Sequence, residues 1–127
     1  MSTETSVLSV RDRLRQRRRI YLDALNAERE RLTTEAIKLG VERVILFGSA
    51  VQGRVGLSSD LDLLLVWDTP LNLLERTAEV YRRLNPRVAA DILVYTPDEF
   101  ARLSVESPFV RRVMHEGRVL YAAQPCG

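Results

Sequence analysis

Two aspartates two residues apart, Asp60 and Asp62, interrupt an otherwise apolar run that continues Leu63-Leu64-Leu65-Val66-Trp67. On a strand, alternate side chains share a face, so the two carboxylates are expected on one side, roughly 7 Å apart along the chain. Like charges placed in this way cost free energy unless a cation neutralises them. A third carboxylate, Asp91, sits in the middle of a second apolar run, Val88 to Tyr95, where a lone charge is costly unless it is paired or bound to a metal. The competing structural roles are turn hydrogen bonding for Asp60 and Asp62 and an ion pair with Arg87 for Asp91. Ahead of Asp60, Gly48-Ser49 follows the strand-like run Val44 to Phe47 and opens a short helical stretch at Ser49 to Gln52. Backbone amides at a helix start, beside a residue with no side chain, can cradle the terminal phosphates of a nucleotide; Ser49 acting only as an N-cap would use the same amides. Three carboxylates on adjacent strands can hold two divalent ions about 3.5 to 4 Å apart, an arrangement that clamps the attacking and leaving oxygens of an in-line displacement. That is the chemistry of phosphoryl or nucleotidyl transfer.

The elements that must position these residues are legible from periodicity and punctuation. Ser9 with Asp12 reads as a capping box and Gly40 as a helix stop, which predicts one helix of about 30 residues, or about 45 Å. Leu22, Leu25, Leu32, Ala36 and Leu39 give its second half an apolar stripe. Its first half, Arg11 to Arg19, has almost none, and is expected to protrude as an arm and meet another chain. Val44 to Phe47 and Leu61 to Trp67 are predicted strands. Thr69-Pro70 is expected to start a helix that runs to Leu84 before Asn85-Pro86, and Val88 to Tyr95 is a third strand. Thr96-Pro97 caps a short helix to about Leu103, Ser107-Pro108 caps another ending at Gly117, and Arg118 to Tyr121 is a last edge strand.

Composition bounds the function. The chain of 127 residues has the length of one domain and carries a net charge of +2. No apolar run approaches the ~18 to 20 residues of a membrane span, and the first residues do not read as a signal peptide, so a cytoplasmic location is the default expectation. The single cysteine, Cys126, has no intrachain partner, which agrees with a reducing compartment. Charge is unevenly spread: residues 1–40 hold nine Lys/Arg against six Asp/Glu, whereas residues 41–127 hold ten against eleven. The basic cluster Arg11 to Arg19 has no interleaved aromatics for base stacking, so nucleic-acid binding is disfavoured against a solvated face or an acidic protein partner. Trp67 reads as a strand-end aromatic rather than a base-stacking one. His115 suits the last turn of a helix, and with no second His or Cys nearby a zinc site is not supported.

Gly48, Ser49, Asp60 and Asp62, with ten residues between Ser49 and Asp60, resemble the signature of the polymerase-β-like nucleotidyltransferases, and in particular their minimal members, the MNT partners of HEPN proteins. The resemblance extends through Asp91-Ile92-Leu93-Val94-Tyr95-Thr96-Pro97 and Glu116-Gly117-Arg118-Val119-Leu120-Tyr121. It implies an α+β fold with a mixed central sheet of about four strands flanked by helices. Domain limits follow: a helical arm over 1–21 outside the match, a nucleotidyltransferase domain over 22–122 and a tail over 123–127. By resemblance, Gly48 and Ser49 bind the triphosphate, Asp60 and Asp62 hold both of two Mg²⁺ ions, and Asp91 holds the catalytic ion while accepting the acceptor's proton. The implied reaction moves AMP from ATP, or another nucleoside monophosphate from its triphosphate, to a hydroxyl on a partner protein. The implied partner is a HEPN ribonuclease toxin, modified on a tyrosine by its antitoxin; the protruding N-terminal helix, outside the resemblance, is the expected place for homo- or hetero-oligomer contact. Gln52 stands where family members often carry Arg, which favours an alternative in which the chain silences its partner by occlusion. A small-molecule modifier of the aminoglycoside adenylyltransferase kind is the other alternative, disfavoured because nothing in the chain is left to form a drug pocket.

Overall fold

The computed structural model describes residues 3–48 and 60–124. In chain order its elements are α1 (Thr3–Leu39), β1 (Arg43–Phe47), β2 (Leu61–Val66), α2 (Leu73–Leu84), β3 (Ala90–Tyr95), α3 (Pro97–Glu106), α4 (Pro108–Glu116) and β4 (Arg118–Ala122). The four strands form one mixed sheet in the order β3-β2-β1-β4, in which β2 and β3 run parallel and the other two pairings are antiparallel. A parallel neighbour needs a crossover, and α2 supplies it. This is the expected α+β architecture.

Alternation along β2 assigns the two faces of the sheet. Leu61, Leu63 and Leu65 face α1 and α2, where they pack with Leu32 and Ala36 of α1 and Val80 and Leu84 of α2. Leu64 and Val66 face α3 and α4, where Ile45, Phe100, Val110 and Val113 complete a second core. The sheet is therefore sandwiched, and every fully buried strand position is aliphatic.

Local chemistry sets the boundaries, and several differ from expectation. α1 begins at Thr3, so Ser9 and Asp12 lie inside the helix rather than at its start, and the Ser9 carbonyl accepts the Arg13 Nε at 3.1 Å. Gly40, at φ +104°, ends it in a left-handed turn: the Val41 N–H reaches the Ala36 carbonyl at 3.3 Å and the Gly40 N–H reaches that of Ile37 at 3.0 Å. α2 starts three residues later than Thr69-Pro70 implied. Asn72 and Glu75 form a complete capping box, whereas Thr69 Oγ1 only accepts the Leu71 N–H. Thr96-Pro97 and Ser107-Pro108 do cap α3 and α4, and α3 runs on to Glu106. β3 begins at Ala90 instead of Val88. The expected short helix at 49–52 lies outside the described residues. None of the described helices is long and apolar enough to cross a membrane.

Candidate active site

The C-terminal end of β1 and the N-terminal ends of β2 and β3 meet at one edge of the molecule, and the candidate residues gather there. Phe47 is the register partner of Asp62, and Asp62 is the register partner of Asp91, so the three form a row across β1, β2 and β3. By alternation all three point to the face covered by α3 and α4. Adjacent strands lie about 4.8 Å apart, so the two carboxylates are direct neighbours. Phe47 closes the row with an edge-on contact to Phe109 of α4, centroids 5.6 Å apart.

Gly48 follows Phe47 with φ +76°, a conformation L side chains rarely adopt. It also lies directly against the Asp62 carboxylate: a Cβ there would run into Asp62 Oδ2 and sit 2.9 Å from Asp62 Cγ. Glycine is thus required twice over, for the turn and for the close approach of backbone to carboxylate. Ser49 and Gln52 lie outside the described residues.

Asp91 corrects an expectation. It is exposed, the second residue of edge strand β3, and not a charge buried mid-strand. Its carboxylate forms no ion pair with Arg87 or with any other described residue. What holds it in place is Tyr81 of α2, whose hydroxyl accepts the Ile92 N–H at 2.8 Å and donates to the Ala90 carbonyl at 3.1 Å. Those are the backbone groups on either side of Asp91, on the edge of the sheet where no further strand pairs among the described residues. Sequence periodicity reads Tyr81 only as an apolar helix position.

Asp60 is placed differently. It precedes β2, anchored by its N–H to the Ala89 carbonyl at 2.7 Å, and its Oδ1 accepts a 2.6 Å hydrogen bond from the Tyr21 hydroxyl of α1. Only the protonated phenol can donate that bond, so it holds Tyr21 above the ordinary tyrosine range, and burial and the Asp60 charge act in the same direction. Tyr21 reaches Asp60 because of how α1 is fastened. Its buried Glu28 accepts Arg31 Nε at 2.7 Å and the Arg87 N–H at 2.5 Å, and Arg31 donates to the Leu84 and Asn85 carbonyls at 3.0 and 2.9 Å. One helical face, Tyr21, Leu25, Glu28 and Leu32, is thereby locked onto the connection between α2 and β3. Leu22, expected on that stripe, is 39% exposed. The only signal for Tyr21 in the sequence is its position four residues before Leu25.

The donor set tests which cation would fit. Asp62 and Asp91 present hard carboxylate oxygens from facing strand positions, as an oxygen-seeking divalent ion requires. Asp60 is directed to Tyr21, and among the described residues no three acidic, His or Cys side chains converge as a metal-ready group. The structure thus brings two of the three predicted ligands together and sets the third beside them, on a tyrosine. Compared with known protein families, the chain matches the family model described as polymerase beta, nucleotidyltransferase over residues 30–125. Comparison with curated proteins and with solved structures gave no match.

Proposed function

The chain belongs to the polymerase beta nucleotidyltransferase family, and on that premise we propose that it moves AMP from ATP to a hydroxyl on a partner protein. Family membership implies a nucleoside triphosphate substrate and a divalent metal in general. The observation that carries the reading is the pairing of Asp62 with Asp91 across β2 and β3, with Gly48 laid against the Asp62 carboxylate.

Each residue has a task in this reaction. Gly48, with Ser49 after it, receives the triphosphate through backbone amides where any larger side chain would displace Asp62. Asp62 and Asp91 would hold Mg²⁺, with Asp60 joining them once Tyr21 releases it. When bound, two such ions neutralise charge on the attacking and leaving oxygens of an in-line displacement. Asp91, at the exposed edge of the sheet, accepts the proton of the incoming hydroxyl as its oxygen bonds to the α-phosphorus, and pyrophosphate leaves. The acceptor enters over that exposed edge.

The partner reading, a HEPN ribonuclease toxin neutralised by this chain as its antitoxin, is supported by the N-terminal half of α1. Val10, Leu14 and Ile20 are 50%, 60% and 59% exposed there among six arginines, a surface with apolar and cationic groups to offer an acidic protein. The experiment incubates the chain with labelled ATP, Mg²⁺ and the product of the adjacent gene. Label on a tyrosine of that product, lost when Asp60 and Asp62 are both changed to alanine, is the expected result. Absence of transfer, or transfer indifferent to those substitutions, contradicts it.

A second reading, in which the chain binds its partner and silences it by occlusion, is favoured by one observation: Tyr21 already engages Asp60. It predicts that calorimetry detects no ATP binding in the presence of Mg²⁺ while the partner still co-purifies.

A further inference from the structure

One apolar stripe runs along α1, and only part of it is covered. Leu25, Leu32, Ala36 and Leu39 pack on the domain, and the same spacings of three, four and seven continue toward the N-terminus through Tyr21, Leu14 and Val10 on the same face. Where Tyr21 meets Asp60, just ahead of β2, the helix reaches the end of the sheet at which β2 and β3 begin, and its N-terminal part runs on past that end. Every residue from Val10 to Ala24 is exposed, Val10 by 50% and Leu14 by 60%. From Thr3 to Ile20 the arm is about 27 Å of helix at about 1.5 Å per residue. It presents an apolar seam on the side of α1 where the domain stands.

Charge decides what can lie there. By helical periodicity Arg11 and Arg15 border the seam on one side and Arg13 and Arg17 on the other, Arg18 falls within it, and Asp12 is on the opposite face. A second copy of the arm would set arginine against arginine, six of them over residues 11–19 against one aspartate, so self-pairing is opposed. A bilayer lying flat on the seam would strike the domain, which occupies the same face of the helix from Leu25 onward. A nucleic acid finds no aromatic residues for its bases over residues 10–20 and leaves Val10 and Leu14 without a partner. What matches is a slender element with apolar residues at helical spacing and carboxylates beside them. We propose that the arm docks an acidic amphipathic helix of another protein, laid along Val10 and Leu14 with its carboxylates against Arg11, Arg15, Arg17 and Arg18. A carboxylate within that helix's own apolar row, facing Arg18, sets its register. The docked protein then stands at the end of the sheet that holds Asp62 and Asp91. The inference rests on the partner reading above and not on the catalytic one, since the arm lies ahead of residue 30, where the family match begins.

The test follows the fluorescence anisotropy of labelled helical peptides added to the full chain without ATP. The probe carries leucine along one seam and glutamate on either side, and its counterpart carries lysine in place of glutamate. The glutamate peptide should bind at least tenfold more tightly than the lysine one. Leu14→Asp, or Arg11→Glu with Arg15→Glu and Arg18→Glu, should lower that affinity at least tenfold while the helical circular dichroism and the urea unfolding midpoint stay at wild type, because these side chains are exposed. The product of the adjacent gene should co-purify with wild type and at least tenfold less with Leu14→Asp. Equal affinity for the two peptides, or no binding of either, overturns the proposal. Dimerisation in the ultracentrifuge that Leu14→Asp abolishes assigns the seam to a second copy, and tighter binding to oligouridine or to phosphatidylserine vesicles assigns it to nucleic acid or membrane; each overturns it also. Co-purification unchanged by Leu14→Asp overturns docking on the arm and leaves the partner reading standing. Absence of both peptide binding and co-purification removes both.

Discussion

Asp62 and Asp91 are register partners on adjacent parallel strands, two carboxylates held side by side. Four expected outcomes follow from the geometry around this pair and from the frame that holds it.

Gly48 has no room for a methyl group unless Asp62 shifts. An alanine would carry a left-handed backbone penalty of roughly 1 to 2 kcal/mol and would press its Cβ into the Asp62 carboxylate. Gly48→Ala should lower the unfolding midpoint in urea and weaken ATP binding more than tenfold, as read by denaturation and calorimetry on the same sample. Wild-type affinity in this variant would show that the Gly48 approach to Asp62 has no part in the site.

Glu28 ties α1 to the rest of the molecule, and its effect depends on pH in a defined direction. The hydrogen bond from Arg31 is the main cause holding its carboxyl below the ordinary value of 4.5, with the Arg87 N–H adding to it and burial opposing it. A depressed folded-state value means the stabilisation is complete above the ordinary range and is lost as pH falls through the folded value. Glu28→Gln should therefore cost about 3 kcal/mol near pH ~7 and progressively less toward pH ~3, measured by urea unfolding at each pH. An equal cost at both would mean the charge of Glu28 is not what fastens the helix.

At the other end of the sheet, Arg76 is 4% exposed and donates to both Oε1 and Oε2 of Glu99, at 2.7 and 2.9 Å, while its Nε has no partner among the described residues. Burial works against the charge of Glu99, and the Thr96 N–H and Arg76 outweigh it, so its carboxyl is held below the ordinary range. Removing the two partners should not be equivalent. Glu99→Ala strands a buried guanidinium and should cost about 3 kcal/mol, whereas Arg76→Met replaces the charge with apolar volume and leaves Glu99 its water and its Thr96 N–H, for a cost of about 1 kcal/mol or less. Guanidinium unfolding of the two variants decides it, and neither change should alter ATP affinity.

How much of this was readable beforehand depends on whether the cause is local. The aliphatic runs around Leu63 and Val94 announced strands, and the proline-flanked caps at Thr96 and Ser107 announced helices, because strand burial and N-capping are written in consecutive residues. Asp62 and Asp91 could be paired as ligands because strand periodicity and a family resemblance pointed the same way. Local signals also misled where a stronger one stood near: the Asn72 and Glu75 capping box displaced the expected start at Thr69, and helix continuity overrode the Ser9 and Asp12 box. The exposure of Asp91 follows from β3 being an edge strand, and the strand order is a tertiary fact that no window of sequence contains. Tyr21 and Tyr81 were missed for the same reason. Their hydroxyls act across separations of 39 and 11 residues, and nothing nearby in the chain marks them as more than helix-face aromatics.

The central claim is that the Asp62 and Asp91 pair is there for a divalent ion and a nucleotide, and Asp91→Asn tests it most directly. Like charges directly opposite on neighbouring strands repel, so neutralising the exposed partner should leave the metal-free protein as stable as wild type or more stable by about 0.5 kcal/mol. Calorimetric titration with ATP in the presence of Mg²⁺ should meanwhile show at least a tenfold loss of affinity relative to wild type, and the wild-type affinity should vanish when the metal is chelated. Binding unchanged by Asp91→Asn, or wild-type binding indifferent to Mg²⁺, would contradict the account.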